Sequence, residues 1–178
     1  MSNFFKRPYN VNLPKLKNDE HEFAAKKGIV VCSECGAAYF KKRWTHGLEE
    51  VKTPENKDEP VSFAVCPACQ MIKNHQYEGR ITVKNLPAKY EKDLEDVVRG
   101  FSKRATERDP MDRLIEIKRD PSTGSGQAAN WVITTTENEM ANKIAHHIKD
   151  SLRAAKSRTR FAPEPSDVAE IVIEFVGE

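Results

Sequence analysis

The chain has 178 residues, 31% of them charged and 38% hydrophobic, with a mean hydropathy of −0.68, which fits one medium or two small water-exposed domains. No apolar run approaches the ~18–20 residues of a membrane span, and the first residues lack the apolar stretch of a secretory signal, so a membrane or secreted protein is not expected. The net charge is only +2 but is uneven: residues 1–47 hold nine Lys/Arg against four Asp/Glu, 143–160 hold six against one, and 161–178 hold five acids and no base.

In chain order, residues 1–27 show no sustained period, are broken by Pro8 and Pro14, and read as a basic flexible tail carrying Phe4, Phe5, Lys6, Arg7 and Tyr9. A short strand at 28–31 (GIVV) enters Cys32-Ser33-Glu34-Cys35-Gly36, and 37–44 resumes a strand-like pattern with Tyr39 and Phe40. Residues 48–60 read as a charged, Pro-bounded loop. A strand at 62–65 then leads into Cys66-Pro67-Ala68-Cys69, and 79–83 (GRITV) reads as a strand leading out of this small domain, placed at 28–84.

From there the period changes. Tyr90, Leu94, Val97, Val98 and Phe101 mark one face of a helix that starts near Pro87 and stops at Asp109-Pro110. Strands at 114–119 and 131–135 flank a Pro/Ser/Gly hairpin loop. Thr136-x-x-Glu139 has capping-box spacing ahead of a second helix with Met140, Ile144, Ile148 and Leu152 as its apolar stripe. Two final strands are expected at 158–161 and 170–176. The fold class is α+β: an N-terminal four-cysteine zinc ribbon, then a two-layer α-β-β-α-β-β domain over 85–178, its four-stranded sheet mostly antiparallel and both helices on one face.

The chemistry sits in the cysteines. All four fall in Cys-x-x-Cys pairs with none left over, which points to a reducing compartment and to metal before disulfide. Two thiolates two residues apart bind one metal from a single tight turn, and Gly36 supplies the positive φ such a turn uses. Two knuckles, each expected at the end of a hairpin, complete a closed tetrahedral site for one structural Zn2+ at Cys32, Cys35, Cys66 and Cys69. Thirty residues separate the pairs, and the 48–60 loop accounts for that length. An iron–sulfur centre or a redox dithiol is the alternative, without the βαβ context a thioredoxin-like motif needs. His75 reads as a surface residue, and His146 and His147 as ordinary helix residues.

Between the knuckles, Tyr39, Lys41, Lys42, Arg43 and Trp44 form a cationic run flanked by aromatics, the pattern of a nucleic-acid contact: cations for phosphates, rings for unpaired bases. The tail residues Phe4, Phe5, Lys6 and Arg7 add a second such element. Lys149, Arg153 and Lys156, stepping along one helix face, and Arg158 and Arg160, sharing one strand face, add a third. The competing reading makes the rings core and the cations solvated. No nucleotide-binding, hydrolase or metalloprotease motif is present, so no enzyme and no small-molecule substrate is expected.

Cys32-x-x-Cys35-Gly36, the distant Cys66-Pro67-x-Cys69, and 131–136 (WVITTT) followed by a helix resemble a small group of bacterial zinc-ribbon proteins. Those are similar to the N-terminal part of the archaeal and eukaryotic adaptor that binds the large ribosomal subunit and, in eukaryotes, escorts it from the nucleus. The resemblance covers roughly residues 28–176. It implies association with the ribosome and rRNA, with ribosomal proteins as further contacts and the four cysteines as scaffold; with no export signals evident, export is not expected to carry over. The expectation is a non-enzymatic, cytoplasmic, ribosome-associated RNA-binding protein acting in assembly, quality control or dormancy (hibernation). The alternative is a protein-interaction or transcription-associated zinc-ribbon adaptor.

Overall fold

The computed structural model describes residues 28–53, 55, 58–120, 128–152, 156–161 and 168–175, with the side chains of 156–161 left out of the description. The tail 1–27, and with it Phe4, Phe5, Lys6 and Arg7, lies outside the described residues, as does Arg153. The rest is α+β, with two mostly antiparallel sheets and, among the described residues, four helices.

The first sheet has the order β3-β2-β1-β4, with β1 at Ile29–Cys32, β2 at Ala38–Phe40, β3 at Arg43–Thr45 and β4 at Val61–Ala64. The β-branched run of β1 takes a central place and buries both faces, as a two-sided strand must. Ile29 packs with Ala38 and Val51 on one face, while Val30 packs with Tyr39 on the other, and Trp44 and Ala64 close over them. β1 and β4 run parallel, with Ile29 opposite Val61 and Cys32 opposite Ala64, so both Cys pairs emerge at the same end of the sheet. The expected 48–60 loop opens instead with a helical turn, α1 at Leu48–Val51, because Val51 and Leu48 cover the sheet face behind Ile29.

The second sheet has five strands where the sequence reading expected four. Its order is β6-β7-β5-β9-β8, with β5 at Gly79–Leu86, β6 at Leu114–Arg119, β7 at Ala129–Thr135, β8 at Lys156–Phe161 and β9 at Ala169–Glu174. The extra strand is β5, expected to lead out of the ribbon but placed at the middle of this sheet. It pairs antiparallel with β7 and parallel with β9. The reason lies in its alternation: Ile81 and Val83 are fully buried beside Ile133 on one side and Ile171 and Ile173 on the other.

Two helices cover one face of that sheet, as expected. α3 (Glu91–Arg108), preceded by a 3-10 turn at Ala88–Tyr90, buries Leu94, Val98, Phe101 and Ala105. It ends at Asp109, whose extended backbone (φ −136°, ψ 118°) is the conformation a residue before proline adopts. α4 (Asn138–Leu152) buries Met140, Ile144, Ile148 and Leu152 into the same core. The short α2 (Pro67–Lys73) belongs with the cysteines. Among the described residues no helix is long and apolar enough to cross a membrane.

Candidate metal centre

The sulfur atoms of Cys32, Cys35, Cys66 and Cys69 all lie within 4.8 Å of one another. Cys35 Sγ and Cys66 Sγ are 3.7 Å apart, close to the ~3.8 Å edge of a tetrahedron built from ~2.3 Å metal–sulfur bonds. None of the four forms a disulfide. Their residue types, number and spacing fit a metal ion held by four thiolates.

Each pair is built by a different local structure, which corrects the expectation of two hairpin knuckles. The first is a turn between β1 and β2: the Gly36 N–H donates to the Cys32 carbonyl at 3.0 Å, with Gly36 at φ +78°. The second joins a strand to a helix. Cys66 caps the start of α2, Pro67 occupies the first turn, where its missing N–H costs nothing, and the Cys69 N–H donates to Cys66 Sγ at 3.4 Å. The Cys66 N–H donates across to Cys32 Sγ at 3.2 Å and ties the pairs together. An exposed ion pair, Lys73 to Glu34 at 3.7 Å, spans them at the surface and contributes little by itself.

Burial and hydrogen bonding pull on the thiols in opposite directions. Burial pushes the Cys32 thiol up, but backbone N–H bonds from Cys66, Cys35 and Glu34 outweigh it and bring it down to about 6. Burial is the largest cause in both remaining shifts: it raises Cys69 to about 11, against a lowering hydrogen bond with Cys66, and it raises Cys66, against the backbone bond with Cys69. His75, exposed and at φ +52°, is not one of the cluster's ligands.

Trp44 and Met111 pack against the buried part of the cluster. Met111 comes from the segment between α3 and β6, and that segment is clamped by Thr136: its hydroxyl donates to the Met111 carbonyl at 2.6 Å and accepts from the Arg113 N–H at 2.9 Å. The capping box expected at Thr136 is therefore not formed. The hydroxyl is spent on the 111–113 segment, and Glu139 pairs with Lys143 at 2.8 Å. The 131–136 segment, without assigned chemistry in the sequence, thus supplies core strand β7 and a clamp below the cysteines.

The expected nucleic-acid residues are dispersed. Tyr39 is buried and stacks against Trp44, ring centroids 5.2 Å apart. Lys41, Lys42 and Arg43 are all exposed where β2 turns into β3. Lys149 is half-buried on α4, in the helix layer. Lys156 is not on that helix: α4 has ended at Leu152, and Lys156 opens β8. The β8 register sets Lys156 opposite Glu174 and Arg160 opposite Glu170, with Arg158 opposite Val172. On β9, Glu170, Val172 and Glu174 alternate with the buried Ile171 and Ile173.

The histidines have structural partners: His146 Nε2 lies 3.3 Å from Asp150 Oδ2, and His147 stacks on Phe101 with centroids 4.9 Å apart. The i,i+4 spacing of His146 and Asp150 is legible in the sequence. Comparison with known proteins adds nothing further: no protein-family model, no curated protein and no solved structure matches the chain. Fold and site define an α+β protein with a four-cysteine group able to hold a metal ion.

Proposed function

We propose that this is a non-enzymatic, zinc-stabilised RNA-binding protein of the cytoplasm that docks on the large ribosomal subunit as an assembly, quality-control or dormancy factor. The observation that carries the reading is the β2–β3 hairpin. Three consecutive cations, Lys41, Lys42 and Arg43, are exposed at its tip, and its base is fixed to the cysteine cluster through Trp44. Zinc suits four thiolates in a tetrahedron, fills its coordination sphere with them and stabilises a region with little core of its own. Such a centre is a scaffold. The resemblance of the Cys pairs and the 131–136 segment to a small group of bacterial zinc-ribbon proteins, themselves similar to the ribosomal adaptor's N-terminal part, supports the ribosome as the RNA target.

The test is co-sedimentation of the full chain with ribosomes through a sucrose gradient. Migration with the large subunit at low salt, lost at high salt and lost in K41A/K42A/R43A, is the expected result. A chain that stays at the top of the gradient in both growing and starved cells removes the reading. A protein partner is the second reading, favoured by Phe63, which is 71% exposed on edge strand β4. A complex that survives ribonuclease would select it. A stoichiometric bound metal would exclude a redox dithiol.

A further inference from the structure

We infer that the β2–β3 hairpin recognises the phosphate backbone of double-stranded RNA through Lys41, Lys42 and Arg43, with no base stacked on the aromatic residues beside them. The inference rests on the RNA-binding reading above and narrows its ligand. The first observation is the backbone of the turn. Phe40 pairs with Arg43, leaving a two-residue loop, and both loop residues are left-handed, Lys41 at φ +48° and Lys42 at φ +65°. This is the shape for which Asn-Gly is favoured, and a lysine held in it is strained. Among the described residues no ion pair offsets that strain; Lys41 Nζ sits 5.2 Å from the centre of the Phe40 ring, which steadies one stem. Strain held without an ion pair to offset it points outward, to what the two side chains meet in solution. The acids of this region lie at the hairpin's base, where Glu50 accepts from the His46 N–H at 3.2 Å, and leave the tip cationic.

The second observation removes the rings. Trp44 stands opposite Tyr39 in the β2–β3 register, stacks on it at 5.2 Å, and also covers the cysteine cluster. Turning Trp44 towards a base would uncover the cysteine cluster, and Tyr39 is buried beside Val30. The exposed large hydrophobic side chain among the described residues is Phe63, on β4 at the other edge of the sheet, three strand spacings or ~14 Å from β3. Single-strand binders use exposed rings as stacking platforms. A cationic tip without one is suited to phosphates, which an A-form duplex presents along both strands regardless of sequence.

The experiment measures binding of the metal-loaded full chain to a mixed-sequence RNA duplex and to an unpaired oligouridine of equal length, over a salt series. The duplex is expected to bind more tightly. K41N/K42G, which gives the turn its preferred residues, is expected to weaken duplex binding at least about tenfold at low salt and to lower the log–log salt slope by about two. W44F, checked for unchanged metal content, is expected to stay within about twofold of the parent chain. Unchanged duplex affinity and slope in K41N/K42G would overturn the inference. So would a tighter, hairpin-dependent oligouridine complex, or a loss in W44F equal to that in K41N/K42G. A parent chain that binds neither RNA would instead bring down the RNA-binding reading itself.

Discussion

Gly79 stands where a side chain has no room. A β-carbon there would overlap Thr135 Oγ1 and the Ala141 methyl and come within 2.9 Å of the Glu137 carbonyl, so the start of β5 and the start of α4 meet only because residue 79 lacks one. G79A is expected to cost about 2 kcal/mol and lower the melting temperature by several degrees. Gly36 is the contrast. Its surroundings are open and only its φ of +78° disfavours a side chain, so G36A should cost about 1 kcal/mol. Thermal melts of the two variants separate the packing cause from the backbone cause. Glu137, beside the same junction, carries a pH dependence. Burial, then the carboxylates of Glu78, Asp112, Asp109 and Glu139, push its carboxyl up from 4.5 to about 7. Between those values the folded chain holds a proton that the unfolded chain has released. Its stabilising contribution is therefore full below about pH 4.5 and is lost as the pH rises through 7; Asp112, raised mainly by burial, acts in the same direction. E137Q should match the parent in urea melts at pH 4 and exceed it at pH 8 by on the order of 2 kcal/mol. Equal stabilities at pH 8 would contradict this.

Among the elements, the hairpin and the second knuckle depart most from a uniform ribbon. Because Lys41 and Lys42 occupy left-handed positions, K41N/K42G should raise the melting temperature while it weakens RNA binding, the opposite of what a damaged fold would do. A lowered melting temperature would mean that the lysines are structural. The second Cys pair was legible from its spacing, but its setting was not. Cys-Pro-x-Cys reads equally well as a hairpin knuckle or as a helix start, and Pro67 at the first turn of α2 decides for the helix once the chain after Cys69 packs Met71 inward. At β8 the sequence showed alternating basic residues, and the cross-strand acids Glu170 and Glu174 became visible only with the register.

At the scale of the molecule, the two sheets are stabilised differently. The second sheet and its helices share one large core running from Ile81 to Phe175. Residues around the cysteines are buried only in small clusters, one of them containing Cys32 and Cys66 themselves. Removing the metal with a chelator should therefore unfold the first sheet and spare the second. The two tryptophans report the halves separately, Trp44 over the cysteines and Trp131 in the second core. Chelation should shift Trp44 emission to the red in W131F and leave Trp131 emission in W44F nearly unchanged; a joint shift would show one cooperative unit. Acid should release the metal as well, because protons compete with the cation for the four thiolates.

What the sequence determined by itself was whatever depends on local spacing. The two Cys-x-x-Cys pairs, the apolar stripes of α3 and α4, the stop at Asp109-Pro110 and the strand character of β1 and β7 all follow from residues within a turn or two of one another. The tertiary structure alone decided the partners across the chain. It made β5 the central strand of the second sheet and set β1 parallel to β4 so that both pairs meet at one end. It also spent the Thr136 hydroxyl on the Met111–Arg113 segment and folded Trp44 onto Tyr39. Pairing and burial are settled by long-range competition for the same core and the same hydrogen-bond partners, and a period of two or 3.6 carries no record of which distant segment wins.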